Sequence, residues 1–372
     1  MSEPSIHSIL DESFPKSGKD DWLRIASQEL GEQNQIENLI WKIGGLKFYP
    51  YYGEKDLQKL PYLKEYQIPS HQHGNSWENL PKITVGLEKE ANERALHYLS
   101  GGADGVLFDV TGCIDFNINH LLNQITWPFC SISFLASTDT KIATRILAFS
   151  EQNKYDPSQL KGSIFWKTMP EGQEAVPMLQ PSLKKYHPLG ITVPPSSPVE
   201  EISKSLQQCV KLMDSLTDLG IEKEMVFRSI SVSFVATENF FINVAKLKAV
   251  RILWYQLSRA FEIEHYNSDD LLIHASSEKW NSENFQPRGS MIKNTTDGLS
   301  AVLGGCNALT LCADEESDDM TNRIALNVSN IFKEESHLDK VKNPVAGSYA
   351  IENMVNELAQ ASWKDFQDRV RS

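Results

Sequence analysis

The chain has 372 residues, of which 41% are hydrophobic and 23% charged, with a formal net charge of −13. This balance is typical of a globular protein with one large core. A phosphate backbone attracts a basic protein face, so the negative charge and the lack of a dense Lys/Arg cluster argue against nucleic-acid binding. No apolar run approaches the roughly 18 residues that cross a bilayer, which argues against a membrane protein.

The N-terminal sequence and the cysteines both bear on location. The chain begins with the acidic and polar stretch MSEPSIHSILDES, which has neither the basic nor the apolar segment of an export signal. We therefore expect a cytoplasmic protein. The cysteines form no C-x-x-C pair, and free thiols in a reducing compartment are the simplest expectation. They are Cys113, Cys130, Cys209, Cys306 and Cys312.

Residues 1–79 differ in pattern from the remainder. Trp22 and Leu30 lie on one face of a predicted helix, and aromatic side chains recur between Trp41 and Tyr52. The periodic apolar residues are too few to bury a core of their own, so this N-terminal arm should pack on another surface. That surface is either the chain's own main domain or a partner subunit, and we favour the partner.

Residues 80–372 alternate between short β-branched or aromatic runs and longer amphipathic stretches. The predicted strands are 83–87, 105–110, 130–135, 162–166, 190–193, 230–235, 271–275 and 308–312. The predicted helices are 91–100, 141–150, 199–219, 239–260, 293–303 and 321–335, with a short, uncertain helix between the second and third strands. Strict alternation predicts a parallel sheet. Eight repeats suit a closed (β/α)₈ barrel, or TIM barrel, with an N-terminal arm.

The clearest βα unit runs from Arg228 to Leu257. Ile230, Val232 and Phe234 alternate with serines, as in a strand with one packed face. Spacings of three and four between Phe240 and Leu257 predict an amphipathic helix, which the side chain of Asn239 could cap. Functional residues of such barrels lie where the strands end. Those positions hold few bases here and no cluster with metal-ligand spacing.

Three stretches of the C-terminal third form a recognisable pattern: Arg323–Asn327, Glu334–Glu335 and Asn343–Tyr349. They resemble the barrel domain of methylmalonyl-CoA mutases. That family carries an Arg-Ile-Ala-Arg-Asn helix, a Glu-Glu pair and an Asp-Pro-x-Gly-Gly-Ser-Tyr turn near the end of the barrel. Further stretches similar to the family are Asn239–Phe241, Ala245–Leu247, Leu253–Trp254, Trp22, Leu39–Trp41 and Phe48–Tyr51. The resemblance covers nearly the whole chain.

The residues that serve catalysis in that family are mostly missing. Its first strand carries a tyrosine beside the substrate, whereas Pro81–Leu87 contains none. Its fifth strand carries a histidine that serves the radical rearrangement, whereas Gly190–Ser197 contains none. At the seventh strand His274 survives without the family's glutamine, and Lys293 is similar to a basic residue of the family. We take both as weak catalytic candidates, because each is more simply explained as a structural or solvated side chain.

The resemblance implies a radical reaction that uses adenosylcobalamin. The family's cobalamin module is marked by an Asp-x-His-x-x-Gly run, and none of the nine histidines stands in that context. We expect this chain to bind no cofactor, and adenosylcobalamin to be held by a partner chain.

The resulting hypothesis is a non-catalytic small subunit that stabilises the large catalytic subunit of a heterodimeric methylmalonyl-CoA mutase, an isomerase. One alternative is an acyl-CoA mutase barrel that turns over with cobalamin supplied on a separate chain. Another is a stand-alone binding or scaffold protein on a decayed barrel. The residues expected at the partner interface are Trp22, Trp41, Phe48, Tyr49 and Tyr51.

Overall fold

The computed structural model describes residues 18–31, 35–60, 62–65, 76–113, 115–278, 289–313 and 318–371. Other parts of the predicted arm lie outside these described residues. Within them, nine strand segments form one parallel sheet, and a separate antiparallel hairpin precedes it. The hairpin strands are β1 (Trp41–Ile43) and β2 (Leu46–Phe48). The sheet segments are β3 (Glu78–Asn79), β4 (Lys82–Thr84), β5 (Gly105–Asp109), β6 (Ser131–Ala136), β7 (Gly162–Trp166), β8 (Tyr186–Thr192), β9 (Ile230–Ala236), β10 (Leu272–Ser277) and β11 (Ala308–Thr310).

The sheet closes through its first strand. β3 pairs with β11 and β4 pairs with β5, and only Leu80 and Pro81 separate these two segments. The N–H of Leu80 donates to the Leu309 carbonyl, and the Pro81 carbonyl accepts from Leu107, so pairing continues across the break. Proline has no N–H to donate, which accounts for the interruption. The first strand therefore joins both ends of the sheet, and the predicted (β/α)₈ barrel is confirmed.

Helices follow most of the strands on the outside of the barrel. They are α4 (Glu88–Ser100), α5 (Ile118–Leu121), α6 (Lys141–Gln152), α7 (Pro198–Asp218), α8 (Lys223–Arg228), α9 (Phe240–Ala260), α10 (Gly289–Gly304), α11 (Asp319–Glu334) and α12 (Tyr349–Arg371). Two short 3₁₀ turns replace a helix between β7 and β8. The last helix, α12, packs across α7 and α9. No helix among the described residues is long and apolar enough to cross a membrane.

The βα unit between Arg228 and Leu257 has the predicted elements, with two differences in detail. The apolar face of β9 packs against the helices, so Ser231 and Ser233 face the barrel axis. Asn239 stands at the start of α9, but its side chain makes no capping bond, so that prediction was wrong. The amide of Asn243 instead binds the Thr237 backbone from within the helix.

The described part of the arm contains α1 (Lys19–Leu30), the hairpin, α2 (Glu54–Leu57) and α3 (Tyr62–Glu65). Strand β2 and helix α2 lie against α12 of the barrel. Near the hairpin turn, a side chain at Gly44 would meet Pro198 at the start of α7. The hydroxyl of Tyr62 donates to the Glu352 carboxylate at 2.5 Å, which ties the arm to α12. By contrast, α1 buries none of its residues.

Candidate functional site

The axis of this barrel is filled by side chains, as in other (β/α)₈ barrels. Leu80, Leu107, Phe165 and Ala308 form a buried cluster that is separate from the layer between strands and helices. Leu135 and Leu272 pack against the same cluster and are partly buried. Because these residues come from strands all around the barrel, they close its centre with apolar contacts.

Phe165 and His274 form the centre of this plug. Their rings stack with centroids 4.8 Å apart and planes 29° apart. Gly190 on the neighbouring strand makes room for the phenyl ring, because a Cβ there would lie 2.7 Å from a ring carbon of Phe165 and 2.5 Å from the Ile164 carbonyl oxygen. The glycine is therefore required by the close approach of β7, through the Ile164 carbonyl as well as the Phe165 ring.

His274 is fully engaged in hydrogen bonds. Its Nδ1 lies 2.7 Å from the Ser233 hydroxyl, and its Nε2 lies 2.9 Å from the Thr310 hydroxyl. Thr310 donates its own proton to the Leu80 carbonyl at 2.6 Å, so it accepts from Nε2–H and leaves Nδ1 to accept from Ser233. Burial lowers the pKa of His274 to about 3. The ring is thus neutral at physiological pH, with both nitrogens occupied.

A second polar network lies nearer the amino-terminal end of the axis. The hydroxyls of Ser163 and Ser231 are 2.5 Å apart, and Ser163 donates to the His187 carbonyl at 2.8 Å. The hydroxyl of Ser133 accepts from the Ser163 N–H at 3.1 Å. These buried serines satisfy one another and the backbone, as small polar groups in a closed core must.

Lys293 lies at the mouth of the barrel, the end where the parallel strands finish. Its ammonium contacts the Asp297 carboxylate at 2.6 Å, one turn along α10, and the Glu278 carbonyl at 3.4 Å. Burial raises the pKa of Asp297, while the bond from Lys293 opposes that shift. No bond links Lys293 to His274 within the described residues, so the structure does not bring the two catalytic candidates together.

The described residues contain no group of three or more His, Cys, Asp or Glu side chains placed to hold a metal ion. His274, which stacks on Phe165 in the axis, fits cobalt ligation poorly because both of its nitrogens are bound within the protein. All five cysteines are free thiols, as predicted.

The five aromatic residues predicted for an interface form pairs on the arm. Trp22 stacks on Tyr51 with centroids 5.4 Å apart, and Trp41 packs against Phe48 at 5.5 Å. Phe48 is 1% exposed within this chain, which leaves none of its ring open. Tyr49 is 51% exposed. The other three residues are partly exposed.

Sequence reasoning missed two buried cations on α9. Lys246 contacts Glu201 of α7 at 2.5 Å and donates to the Val235 carbonyl at 3.1 Å. Arg251 donates to three carbonyls, those of Ser268, Leu271 and Gly305, and to the Asn307 side chain. Both cations lie off the apolar stripe of the helix, where side chains are usually exposed. Nothing local distinguishes them from surface cations, because their partners are distant in sequence.

The family model described as methylmalonyl-CoA mutase matches residues 191–371 of this chain. The methylmalonyl-CoA mutase small subunit of Porphyromonas gingivalis is 28% identical over 95% of this chain. The C-terminal half of the chain thus matches the methylmalonyl-CoA mutase family. A small subunit from Streptomyces virginiae is 31% identical over half of this chain, and the Porphyromonas gingivalis large subunit is 26% identical over 44% of it.

This chain covers only part of the length of those mutase subunits. It spans 63% of the Porphyromonas gingivalis small subunit, 30% of the Streptomyces virginiae protein and 23% of the large subunit. Among solved structures, the dihydropteroate synthase of Yersinia pestis aligns with a TM-score of 0.38 and 13% identity, covering 78% of this chain and 98% of that one. That likeness is too weak to support a statement about this chain.

Proposed function

We propose that this chain is the small, non-catalytic subunit of an adenosylcobalamin-dependent methylmalonyl-CoA mutase. The catalytic subunit would be a large chain that holds the cofactor and interconverts methylmalonyl-CoA and succinyl-CoA. The family match and the small-subunit relatives support this proposal. The free thiols are consistent with a complex in the cytoplasm.

One observation carries the non-catalytic role, namely the closed environment of His274, the histidine that survives from the family motif. A thioester substrate needs a cavity with fixed polar groups, whereas His274 is buried and stacked on Phe165. A general acid or base needs a pKa near the working pH and an open hydrogen-bonding position. His274 has neither, because burial holds its ring neutral and Ser233 and Thr310 occupy it.

The arm supplies the proposed contact with the large subunit. Helix α1 buries no residue in this chain, although Trp22 and Leu30 lie on one face of it. Tyr49 lies exposed beside that helix, with the Lys19 ammonium 5.6 Å from its ring centroid. Exposed aromatic side chains on a fixed support are the residues that most often carry binding energy. Phe48 would contribute to this contact indirectly, because its buried ring holds the hairpin in place.

Reconstitution with the large mutase chain of the same organism tests this proposal. We expect a complex by size-exclusion chromatography with light scattering, and a longer-lived mutase activity than the large chain shows alone. The double variant Trp22→Ser/Tyr49→Ser should weaken assembly by about tenfold or more. A large chain that neither binds this chain nor gains stability from it would contradict the proposal.

Two further variants test whether this barrel is catalytic. His274→Gln and Lys293→Met should leave the activity of the complex within about twofold of wild type, whereas loss of a catalytic acid or base typically costs on the order of 100-fold or more. Calorimetric titration of this chain alone with methylmalonyl-CoA should show no binding. Tight binding would favour the alternative in which this barrel turns over with cobalamin supplied in trans.

A further inference from the structure

One half of the barrel mouth exposes a row of large apolar side chains. They stand at the start of four helices that neighbour one another around the barrel, namely α9, α10, α11 and α4, and are 37% to 72% exposed. We call this set the mouth crescent; its residues are Leu87, Phe241, Met291, Ile292 and Met320. The first turn of a helix usually carries polar capping residues, so apolar residues at four successive starts need an explanation.

The mouth crescent continues into a groove between α4 and α11. The groove has a volume of about 460 Å³, with Tyr98 and Leu326 among its lining residues. It reaches Asp319, the residue before Met320, and Glu90, three residues after Leu87. Tyr98 and Leu326 are buried and most of the other lining residues are charged or polar, so the exposed apolar surface is the mouth crescent itself. Large exposed apolar side chains grouped at one end of a protein mark sites of protein association.

Acidic side chains outnumber basic ones around the mouth crescent, although Arg94 and Arg323 line the adjoining groove. Glu238 and Glu278 lie close enough to Asp297 to raise its pKa, after the larger effect of burial. Lys293 is bonded to Asp297, so its charge is already matched by one carboxylate. At the start of α11, the Asp318 side chain accepts from the Met320 N–H and Asp319 is exposed. The apolar row is therefore bordered by negative charge.

This pattern of charge limits what can cover the row. A second copy would bring the same acidic border against itself, and like charges across an interface oppose association. A small ligand entering the mouth would meet the closed axis, where Phe165 and His274 stack. An apolar protein surface bordered by Lys and Arg satisfies both the apolar centre and the negative border.

We propose that the mouth crescent docks the partner chain of the proposed complex, through a partner surface with an apolar centre and a basic border. The inference rests on the proposed function for the identity of the partner. It adds a second contact region, at the barrel mouth, to the one on the arm. The acidic border would steer the partner before the apolar side chains make contact.

Two double variants test this inference, each replacing two exposed apolar residues by serine. Phe241→Ser/Ile292→Ser removes the centre of the mouth crescent. Leu219→Ser/Ile331→Ser is the control, because these residues are 43% and 44% exposed and lie at helix ends on the opposite face of the barrel. With the purified large mutase chain as the probe, the first pair should raise the dissociation constant by about tenfold or more and the control by less than about twofold. Circular dichroism and thermal melting check that both variants remain folded.

Charge variants provide an independent readout. Glu238→Lys/Glu278→Lys should slow association with the large chain several-fold at low salt and remove much of its salt dependence. Wild-type affinity in the Phe241→Ser/Ile292→Ser variant would overturn the inference. If the Trp22→Ser/Tyr49→Ser variant still weakened binding in that case, the proposed function would stand, and only the docking role of the mouth crescent would be rejected. If the wild-type chain fails to bind the large chain at all, both are overturned.

Discussion

At the scale of single residues, the histidine that survives from the family motif has a structural environment. His274 is held between Ser233 and Thr310 and stacked on Phe165, so it fills the axis and joins three strands through its ring. His187 is a second buried histidine of the same barrel, and burial lowers its pKa to about 4. Two neutral, buried rings of this kind make folding sensitive to acid.

We predict that the free energy of unfolding falls between pH 6.5 and pH 5. Burial lowers the pKa of His274 to about 3 and that of His187 to about 4, from a usual 6.5. Below pH 6.5 the unfolded chain takes up protons on both rings while the folded chain does not, so acid favours unfolding. Each ring contributes a slope of up to about 1.4 kcal/mol per pH unit, and the contribution is fully retained above pH 6.5.

Urea unfolding at pH 7, 6 and 5 measures this slope. His274→Gln removes one titrating ring, so its slope should be smaller than that of wild type by about 1 kcal/mol per pH unit. His97→Gln, on the exposed side of α4, is the control and should keep the wild-type slope. Equal slopes in the His274→Gln variant and wild type would show that the buried ring is not responsible.

At the scale of elements, helix α9 makes contacts on other faces in addition to its apolar stripe. Barrel strands, α7, α10 and α12 surround it, so even residues off the stripe become buried. Lys246 is one of these buried residues. It forms an ion pair with Glu201, and the two side chains are 2% and 1% exposed. Burial lowers the pKa of Lys246, and the Glu201 carboxylate opposes that shift. A buried pair of this kind is costly to break on one side only.

We predict that Lys246→Met lowers the free energy of unfolding by about 3–5 kcal/mol, because Glu201 is left buried without its cation. The double variant Lys246→Met/Glu201→Leu should lose less than Lys246→Met alone. The control is Lys204→Met on the same helix as Glu201, since Lys204 and Glu200 form an exposed pair at 2.8 Å. That change should cost less than about 1 kcal/mol. Similar costs for Lys246→Met and Lys204→Met would contradict the prediction.

At the scale of the whole molecule, Tyr62 and Glu352 join the described part of the arm to the barrel. Tyr62 donates to Glu352, whose other carboxylate oxygen accepts from the Gly347 N–H at 3.0 Å. Glu352 is thus shared between the arm and the turn that precedes α12. Lys248 of α9 donates to Asn343 in the same turn at 2.8 Å, so the arm, the turn and the barrel form one connected region.

We predict that Tyr62→Phe loosens the arm without unfolding the barrel. The variant loses a hydrogen bond to a charged group, which typically contributes about 1.5–3 kcal/mol. Amide hydrogen exchange in β2 and α2 should become about tenfold faster or more, while that of β9 and β10 stays unchanged as an internal control. Unchanged exchange throughout the arm would show that apolar packing, with Phe48 at its centre, holds the arm by itself.

The sequence by itself determined the architecture and the family resemblance. Strand and helix periodicity depends on neighbouring residues, so β7 over Gly162–Trp166 and the long helix α9 could be predicted from local pattern. The fifth strand was harder, because β8 begins at Tyr186 inside a stretch that reads as irregular and Pro188 interrupts its pattern. The split first strand escaped prediction for a similar reason, since only pairing across the barrel shows that β3 belongs to it.

Only the tertiary structure decided what fills the axis and which charges are buried. The positions of the Phe165 and His274 rings in the axis depend on Gly190, Ser233 and Thr310, which are far apart in the sequence. Lys246 and Glu201 are likewise 45 positions apart. Local sequence patterns report which face of an element is apolar, but the identity of a contact across the barrel depends on strand register and closure. For that reason the strands and helices could be predicted from the sequence, whereas the packing of side chains in the barrel axis is seen only in the folded structure.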